Sequence, residues 1–245
     1  MHRFFVPPDV LQSTSVVFPS ETAHQISAVL HLRTGQQVVL LDNSGLEFAV
    51  ELLAVGNKVV LGKIVEVHPS EGEPDVKVTL YLALTQREKF EWALQKCTEV
   101  GAAGFVPVIT ARSLVQTATE ARTKYDRWQK ILQEAAEQSG RGFVPVLGEP
   151  LRFGQALAHA RQNAEICLIP WENEKNVRLR SALSGAGEKS KIAVFIGPEG
   201  GFSAEEITLA CQTGAVPVTL GKRILRMETA AVISVAVILE MLESK

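Results

Sequence analysis

Hydrophobic and polar positions change rhythm partway along the chain. In the first seventy residues the apolar runs are short and punctuated by glycine and asparagine. Val38-Val39-Leu40-Leu41-Asp42 predicts a strand and Asn43-Ser44-Gly45 a turn. Leu46 to Leu53 predicts a second strand, Gly56-Asn57 another turn, and Lys58 to Val67 a third strand with Val59, Leu61, Ile64, Val65 and Val67 apolar. Before them, Glu21 to Leu32 predicts a short helix ending near Gly35. Short strands joined by tight turns point to a compact barrel. The segment His68 to Asp75 is polar, holds two prolines and a glycine, and predicts a linker between residues 1–70 and a second domain, 71–245.

Beyond that linker, strand and helix patterns alternate. Val76 to Leu84 predicts a strand, Lys89 to Val100 a helix stopped by Gly101, and Gly104 to Val108 a short strand. Arg122 to Ser139 predicts a long helix stopped by Gly140. The apolar runs Ile166–Pro170, Ile192–Ile196 and Val216–Leu220 predict buried strands; Ser203–Cys211 and Glu228–Leu242 predict helices. This alternation is the pattern of an α/β domain with a mostly parallel sheet and helices on both faces. No internal repeat or low-complexity segment interrupts it.

Composition narrows the class. The chain has 245 residues, 46% hydrophobic and 21% charged, with mean hydropathy +0.12, which excludes wholesale disorder. The longest apolar run, Ala230 to Leu239, is too short to cross a bilayer and predicts a buried helix. Met1 to Asp9 carries no signal-peptide pattern, so the expected location is cytoplasmic, without a membrane partner. Cys97, Cys167 and Cys211 form no CxxC pair and are expected to be core thiols in a reducing compartment; the five histidines form no HExxH, so no metal site is expected. A net charge of −2 excludes a generic polycation, so any nucleic-acid binding has to use a local basic patch.

Open α/β sheets bind ligands in the loops beyond the carboxyl ends of their strands. After Ile196 the loop reads Gly197-Pro198-Glu199-Gly200-Gly201-Phe202-Ser203, with glycines that permit close backbone approach and a Ser203/Glu206 capping box opening the next helix. It has neither a Walker lysine nor a GxGxxG spacing, and Glu199, Glu205 and Glu206 would repel phosphate; a neutral or cationic nucleoside suits it better. The same spacing also describes a tight turn without a ligand. A second strand-to-helix loop, Leu220-Gly221-Lys222-Arg223-Ile224-Leu225-Arg226-Met227-Glu228-Thr229-Ala230, could share one pocket with the first, or could end in exposed arginines and a helix cap. Arg112, Arg122, Lys124, Arg127, Lys130 and Arg141, interleaved with Tyr125 and Trp128, are candidates for contacting RNA, with Arg3, His31 and Arg33 extending the basic surface. Glu120, Asp126 and Glu134 dilute the cluster, which reads equally as a solvated helix face.

With these residues in view the sequence closely resembles the RsmE family, SPOUT-superfamily methyltransferases that act on uridine N3 in small-subunit ribosomal RNA. The two loops above carry the resemblance, together with Met1-His2-Arg3-Phe4-Phe5-Val6, Lys96-Cys97-Thr98-Glu99-Val100-Gly101, Thr110-Ala111-Arg112-Ser113 and Glu134-Ala135-Ala136-Glu137-Gln138-Ser139-Gly140-Arg141. The likeness runs essentially end to end, with Val100 where the family usually has leucine. It implies an N-terminal PUA-like barrel that binds RNA and a C-terminal SPOUT domain whose trefoil knot holds S-adenosylmethionine in a homodimer. By the family's motifs, the cofactor residues are Ile169 and Pro170, Ile196 to Gly201, and Leu220, Gly221, Ile224, Leu225, Arg226, Thr229 and Ala230.

A sulfonium methyl is already electrophilic, so the enzyme has to align it with N3 and manage the N3 proton. Arg226 is the candidate for stabilising the uracil anion or contacting phosphate, and Glu228 or Glu137 for the base. The expected substrate is 16S ribosomal RNA in the assembled small subunit. The rivals are another RNA target for the same fold and a non-catalytic RNA-binding assembly factor; a nicotinamide dehydrogenase lacks its fingerprint here.

Overall fold

The structure, a computed structural model, describes residues 1–56 and 59–243. The predicted turn residue Asn57 and the expected strand start Lys58 lie outside the described residues. The chain forms two compact units, Met1–Glu73 with Gln133–Val144, and Pro74–Leu132 with Pro145–Lys245.

The first unit holds β1 (Arg3–Phe5), β2 (Ser15–Val17), α1 (Ser20–His24), β3 (Gln37–Leu41), β4 (Leu46–Val55) and β5 (Val60–Pro69), in one sheet of order β1-β3-β4-β5-β2. The β3–β4 turn forms where the pattern predicts it, because Asn43 (φ 64°) and Gly45 (φ 83°) accept the left-handed backbone that the reversal requires. Phe4, Phe18, Ile26, Leu40, Val50 and Leu52 fill the core beneath the sheet. The predicted helix at 21–32 continues past α1 as a wide turn over Gln25–Val29 and stops there, not near Gly35. Leu30 N–H donates to Gln25 O (2.8 Å) and Leu32 N–H to Ile26 O (2.9 Å), with His31 at φ 51°.

Segment Gln133–Val144 joins this unit through polar contacts. Phe5 N–H donates to Glu137 Oε1 (2.9 Å), and Val144 N–H to Asn43 Oδ1 (2.8 Å). The Arg141 guanidinium forks onto Glu73 (Nε 3.1 Å, Nη2 2.9 Å), whose Oε1 also accepts the amides of Gly142 and Phe143.

The second unit continues the chain order: β6 (Lys77–Ala83), α2 (Arg87–Val100), β7 (Gly104–Ile109), α3 (Ala118–Arg122), α4 (Tyr125–Ser139), β8 (Val146–Leu147), β9 (Leu151–Arg152), α5 (Phe153–Asn163), β10 (Ile166–Pro170), α6 (Leu179–Ala182), β11 (Lys191–Ile196), α7 (Ala204–Gln212), β12 (Val216–Val218) and α8 (Met227–Leu242). Its seven-stranded sheet has the order β12-β10-β11-β6-β7-β8, with β9 on β7, and every described pairing is parallel. Central strands of such a sheet are covered on both faces, which is why Ile192 to Ile196 is apolar at every position and buried throughout.

Three expectations change. The helix expected over 122–139 forms as α4 but starts at Tyr125: Arg122 instead ends a separate short helix, α3, capped by Thr117 Oγ1, and the chain turns at Thr123-Lys124. The helix α5 adds to the expected elements, with Phe153, Ala156, Leu157 and Ala160 forming a buried stripe at helical spacing. The thiols are not uniformly in the core, since Cys97 is buried, Cys167 half-buried and Cys211 exposed. Among the described residues no helix is long and apolar enough to cross a membrane.

Candidate active site

Parallel strands place their carboxyl ends on one edge. Here β11 and β12 flank β10, with Pro170 in register with Val218, so the three following loops emerge side by side. They enclose a cavity of about 580 Å³, within the range that holds nucleoside-sized ligands. Of the residues carried over by motif, Pro170, Ile196, Gly197, Pro198, Glu199, Gly200, Gly201, Leu220, Gly221, Ile224, Leu225, Arg226 and Ala230 line it, as does Glu228. Ile169 is fully buried within β10, and Thr229 lies half-buried on α8 without lining the cavity. Lys89, Trp171, Glu172, Lys175 and Thr219 line it too and were not singled out from sequence. Trp171 and Glu172 directly follow a strand end and could have been found by the rule that located the other loops. Lys89 reaches the cavity from α2, far away in sequence, and carried no signal.

The glycines explain why these loops can close around the space. Gly201 (φ 69°) and Gly221 (φ 117°) have left-handed backbones, and a Cβ on Gly201 would stand 2.7 Å from Glu172 Oε1. The acidic collar expected around the first loop is largely neutralised. Glu199 accepts a hydrogen bond from Thr85 Oγ1 and pairs with Lys89 Nζ (2.9 Å). Burial would push its carboxyl up, but these donors outweigh that and hold it below the usual carboxylate range. Glu206 accepts the amides of Ser203 (2.9 Å) and Ala111 (2.8 Å), closing the predicted capping box and tying it to a second turn.

The basic cluster is dispersed. Arg112 donates to Gly200 O. Arg122 pairs with Glu149 (2.8 Å), and Arg127 forks onto Glu91 (2.6 and 2.8 Å). Arg141, 3% exposed, is a buried structural ion pair with Glu73 and not a surface contact. Trp128 is buried against Phe90 and is not presented for stacking on a base, and the half-buried Tyr125 directs its hydroxyl to Leu147 O. Lys124 is half-buried and Lys130 exposed. In the first unit Arg3 pairs with Glu47 (2.6 Å), while His31 and Arg33 are exposed.

The two candidate bases are also separated. Glu137 does not line the cavity: its Oε1 accepts Phe5 N–H and Gln133 Nε2, and burial pushes its carboxyl up. Glu228 does line it, and its Oε2 is buried without a hydrogen-bond partner. Arg226, just before α8, is exposed at the rim.

Comparisons with known proteins agree with this architecture. A family model described as an RNA methyltransferase domain matches residues 72–239. The chain is 34% identical to a ribosomal RNA small subunit methyltransferase E from a Synechocystis strain, over 99% of this chain and 78% of that one. It is 31% identical to the protein of that name from Bacillus subtilis, over 97% and 96%. Among solved structures, the Neisseria gonorrhoeae ribosomal RNA small subunit methyltransferase E bound to S-adenosylmethionine superposes with TM-score 0.88 at 28% identity, covering 99% of this chain and 98% of that one. A Legionella pneumophila methyltransferase in complex with the same cofactor gives 0.89 at 30% identity, again over 99% and 98%. The α/β architecture with a small N-terminal sheet is thus that of the RsmE-type SPOUT enzymes, and the chain belongs to the RNA methyltransferase family.

Proposed function

We propose that this chain transfers a methyl group from S-adenosylmethionine to N3 of a uridine in 16S ribosomal RNA, acting on the assembled small subunit in the cytoplasm. The observation that carries the reading is the cavity at the ends of β10, β11 and β12, walled by two glycine-bearing loops and by Glu228. Its residues fit the cofactor on two counts. The left-handed Gly221, with nothing within 4 Å of the Cβ it lacks, leaves backbone open to a ligand, and the orphaned Glu228 Oε2 is a buried acceptor awaiting a partner. The loops Gly197–Gly201 and Leu220–Ala230 would hold the group, which when bound supplies an electrophilic sulfonium methyl.

The chain's own residues then manage the uracil. Glu228 is the better base: its carboxylate is uncommitted and faces the cavity, whereas Glu137 is engaged by Phe5 and Gln133. Arg226 at the rim is placed to offset the negative charge that N3 acquires on losing its proton. Residues 1–70 serve as the PUA-like RNA-binding domain, with exposed Arg33 and His31 as contacts. The trefoil-knotted path through residues 71–245 rests on the likeness to the RsmE-type SPOUT enzymes. A homodimer is supported by α8, whose Val232, Ile233, Ala236 and Val237 keep an apolar flank partly exposed.

The test is transfer of labelled methyl from S-adenosylmethionine to small subunits lacking the modification, with naked 16S RNA in parallel and the product nucleoside identified. N3-methyluridine formed on subunits is the expected result. Cofactor binding without transfer to either substrate would overturn the RNA target, and absence of both would overturn the enzyme.

A further inference from the structure

One arginine chosen from sequence as an RNA contact is committed elsewhere. Arg112 lies in the turn Thr110–Ser113, where Thr110 N–H donates to Ser113 Oγ (3.0 Å) and Ser113 N–H to Thr110 O (3.2 Å). That turn is fixed to the first cavity loop and to the helix that follows it: Arg112 donates to the carbonyl of Gly200, and Glu206 Oε1 in α7 accepts Ala111 N–H (2.8 Å). The arginine's stem adds a third contact, because a Cβ on Gly200 would sit 3.2 Å from Arg112 Cδ. Glycine at 200 therefore admits the aliphatic stem while the guanidinium holds the loop's carbonyl. On the other side of the loop, Thr85 and Lys89 hold both oxygens of Glu199. The segment between Pro198 and Phe202 is thus clamped from two directions by residues about a hundred positions away in sequence.

We propose that Arg112 is a positioning residue for the cofactor: it fixes the Gly200 carbonyl so that the Gly197–Gly201 wall is preorganised, and it does not read RNA. This rests on the cofactor reading above. A carbonyl held by a charged donor loses conformational freedom before the ligand arrives, which strengthens cofactor binding without touching the RNA substrate.

The experiment measures three quantities on full-length wild type, Arg112→Ala and Arg112→Lys. They are the dissociation constant for S-adenosylmethionine, the dissociation constant for 16S RNA, and hydrogen exchange of the amides from Gly197 to Ser203 in the ligand-free protein. Arg112→Ala is expected to weaken cofactor binding about tenfold, leave RNA binding within about twofold, and speed exchange in the loop. Arg112→Lys, which keeps one donor and the stem, is expected to recover part of both effects. Weakened RNA binding with unchanged cofactor binding and exchange would overturn the proposal in favour of a phosphate contact. Equal loss of both affinities, or a loop that exchanges as in wild type, would overturn it as well. If wild type itself fails to bind S-adenosylmethionine, the cofactor reading has failed, and loop exchange still decides whether Arg112 holds the wall.

Discussion

The two loops that face the cavity are built in opposite ways. Gly197–Ser203 is clamped by Thr85, Lys89, Arg112 and Glu206 and runs straight into a capped helix. The loop from Gly221 to Arg226 is exposed along most of its length, with Ile224 87% accessible, and its N-terminal end is held by Gly221 N–H donating to Thr219 Oγ1 (3.2 Å). One wall is tied to distant residues by side-chain hydrogen bonds. The other has apolar and cationic side chains ready to be covered. Such an asymmetry lets a site combine a preorganised surface, which limits the entropy lost on binding, with an adaptable one that closes over what has bound.

The largest effect should come from the rigid wall. Gly201→Val places a β-branched residue at φ 69°, with its Cβ 2.7 Å from Glu172 Oε1. Affinity for S-adenosylmethionine, followed by calorimetry, is expected to fall about a hundredfold or more; near-normal affinity would show that this wall yields as readily as the other. Next is the residue in the first turn of α8, just past the second loop. Glu228→Gln is expected to lower kcat by about a hundredfold while leaving the cofactor dissociation constant within a few-fold. A drop in affinity with kcat intact would make Glu228 a binding group.

Gly221→Ala tests the second loop by strain alone. Its φ of 117° disfavours any side chain, yet no atom lies within 4 Å of the Cβ it would gain. Binding is expected to weaken about tenfold, less than at Gly201. An equal loss at both glycines would erase the distinction between the walls.

A smaller effect is expected from acid. The donors to Glu199 keep its folded-state carboxyl below the usual range, so the anchoring is complete above the ordinary carboxylate pKa of about 4.3 and is lost as pH falls through the lower folded value. Loop exchange should accelerate over that window, and Glu199→Gln should remove the dependence; the carboxylate is partly exposed, so only a few-fold change is expected. Smallest of all, Ile224→Ser should leave the ligand-free protein's stability within about 0.5 kcal/mol, as expected for so exposed a side chain. A large shift in Tm would show that the second loop is packed.

What was legible in the sequence was local. Parallel strands buried on both faces are continuous apolar runs, so β10, β11 and the loops after them could be located from the chain alone, and Ser203 with Glu206 announced the start of α7. The wide turn at Gln25–Val29 and the break between α3 and α4 were not legible, because each depends on what the helix meets and not on its own periodicity. The stripe of α5 is legible in Phe153, Ala156, Leu157 and Ala160, which recur at helical spacing.

Charge partners were the least accessible. Glu199 counted as repulsion until Lys89 and Thr85 stood beside it, and Arg141 counted as a surface cation until Glu73 enclosed it. Composition and periodicity therefore determined the class of fold, the edge of the sheet where a ligand would sit, and, through the resemblance, the family. Tertiary structure alone decided which arginines pair with carboxylates, which carboxylate oxygen is left without a partner among the described residues, and which of the two loops is tied to distant side chains. Periodicity is written between residues a few positions apart, whereas a charge acquires its role from whichever group folding places within about 3 Å of it, here 68 to 114 residues away in sequence.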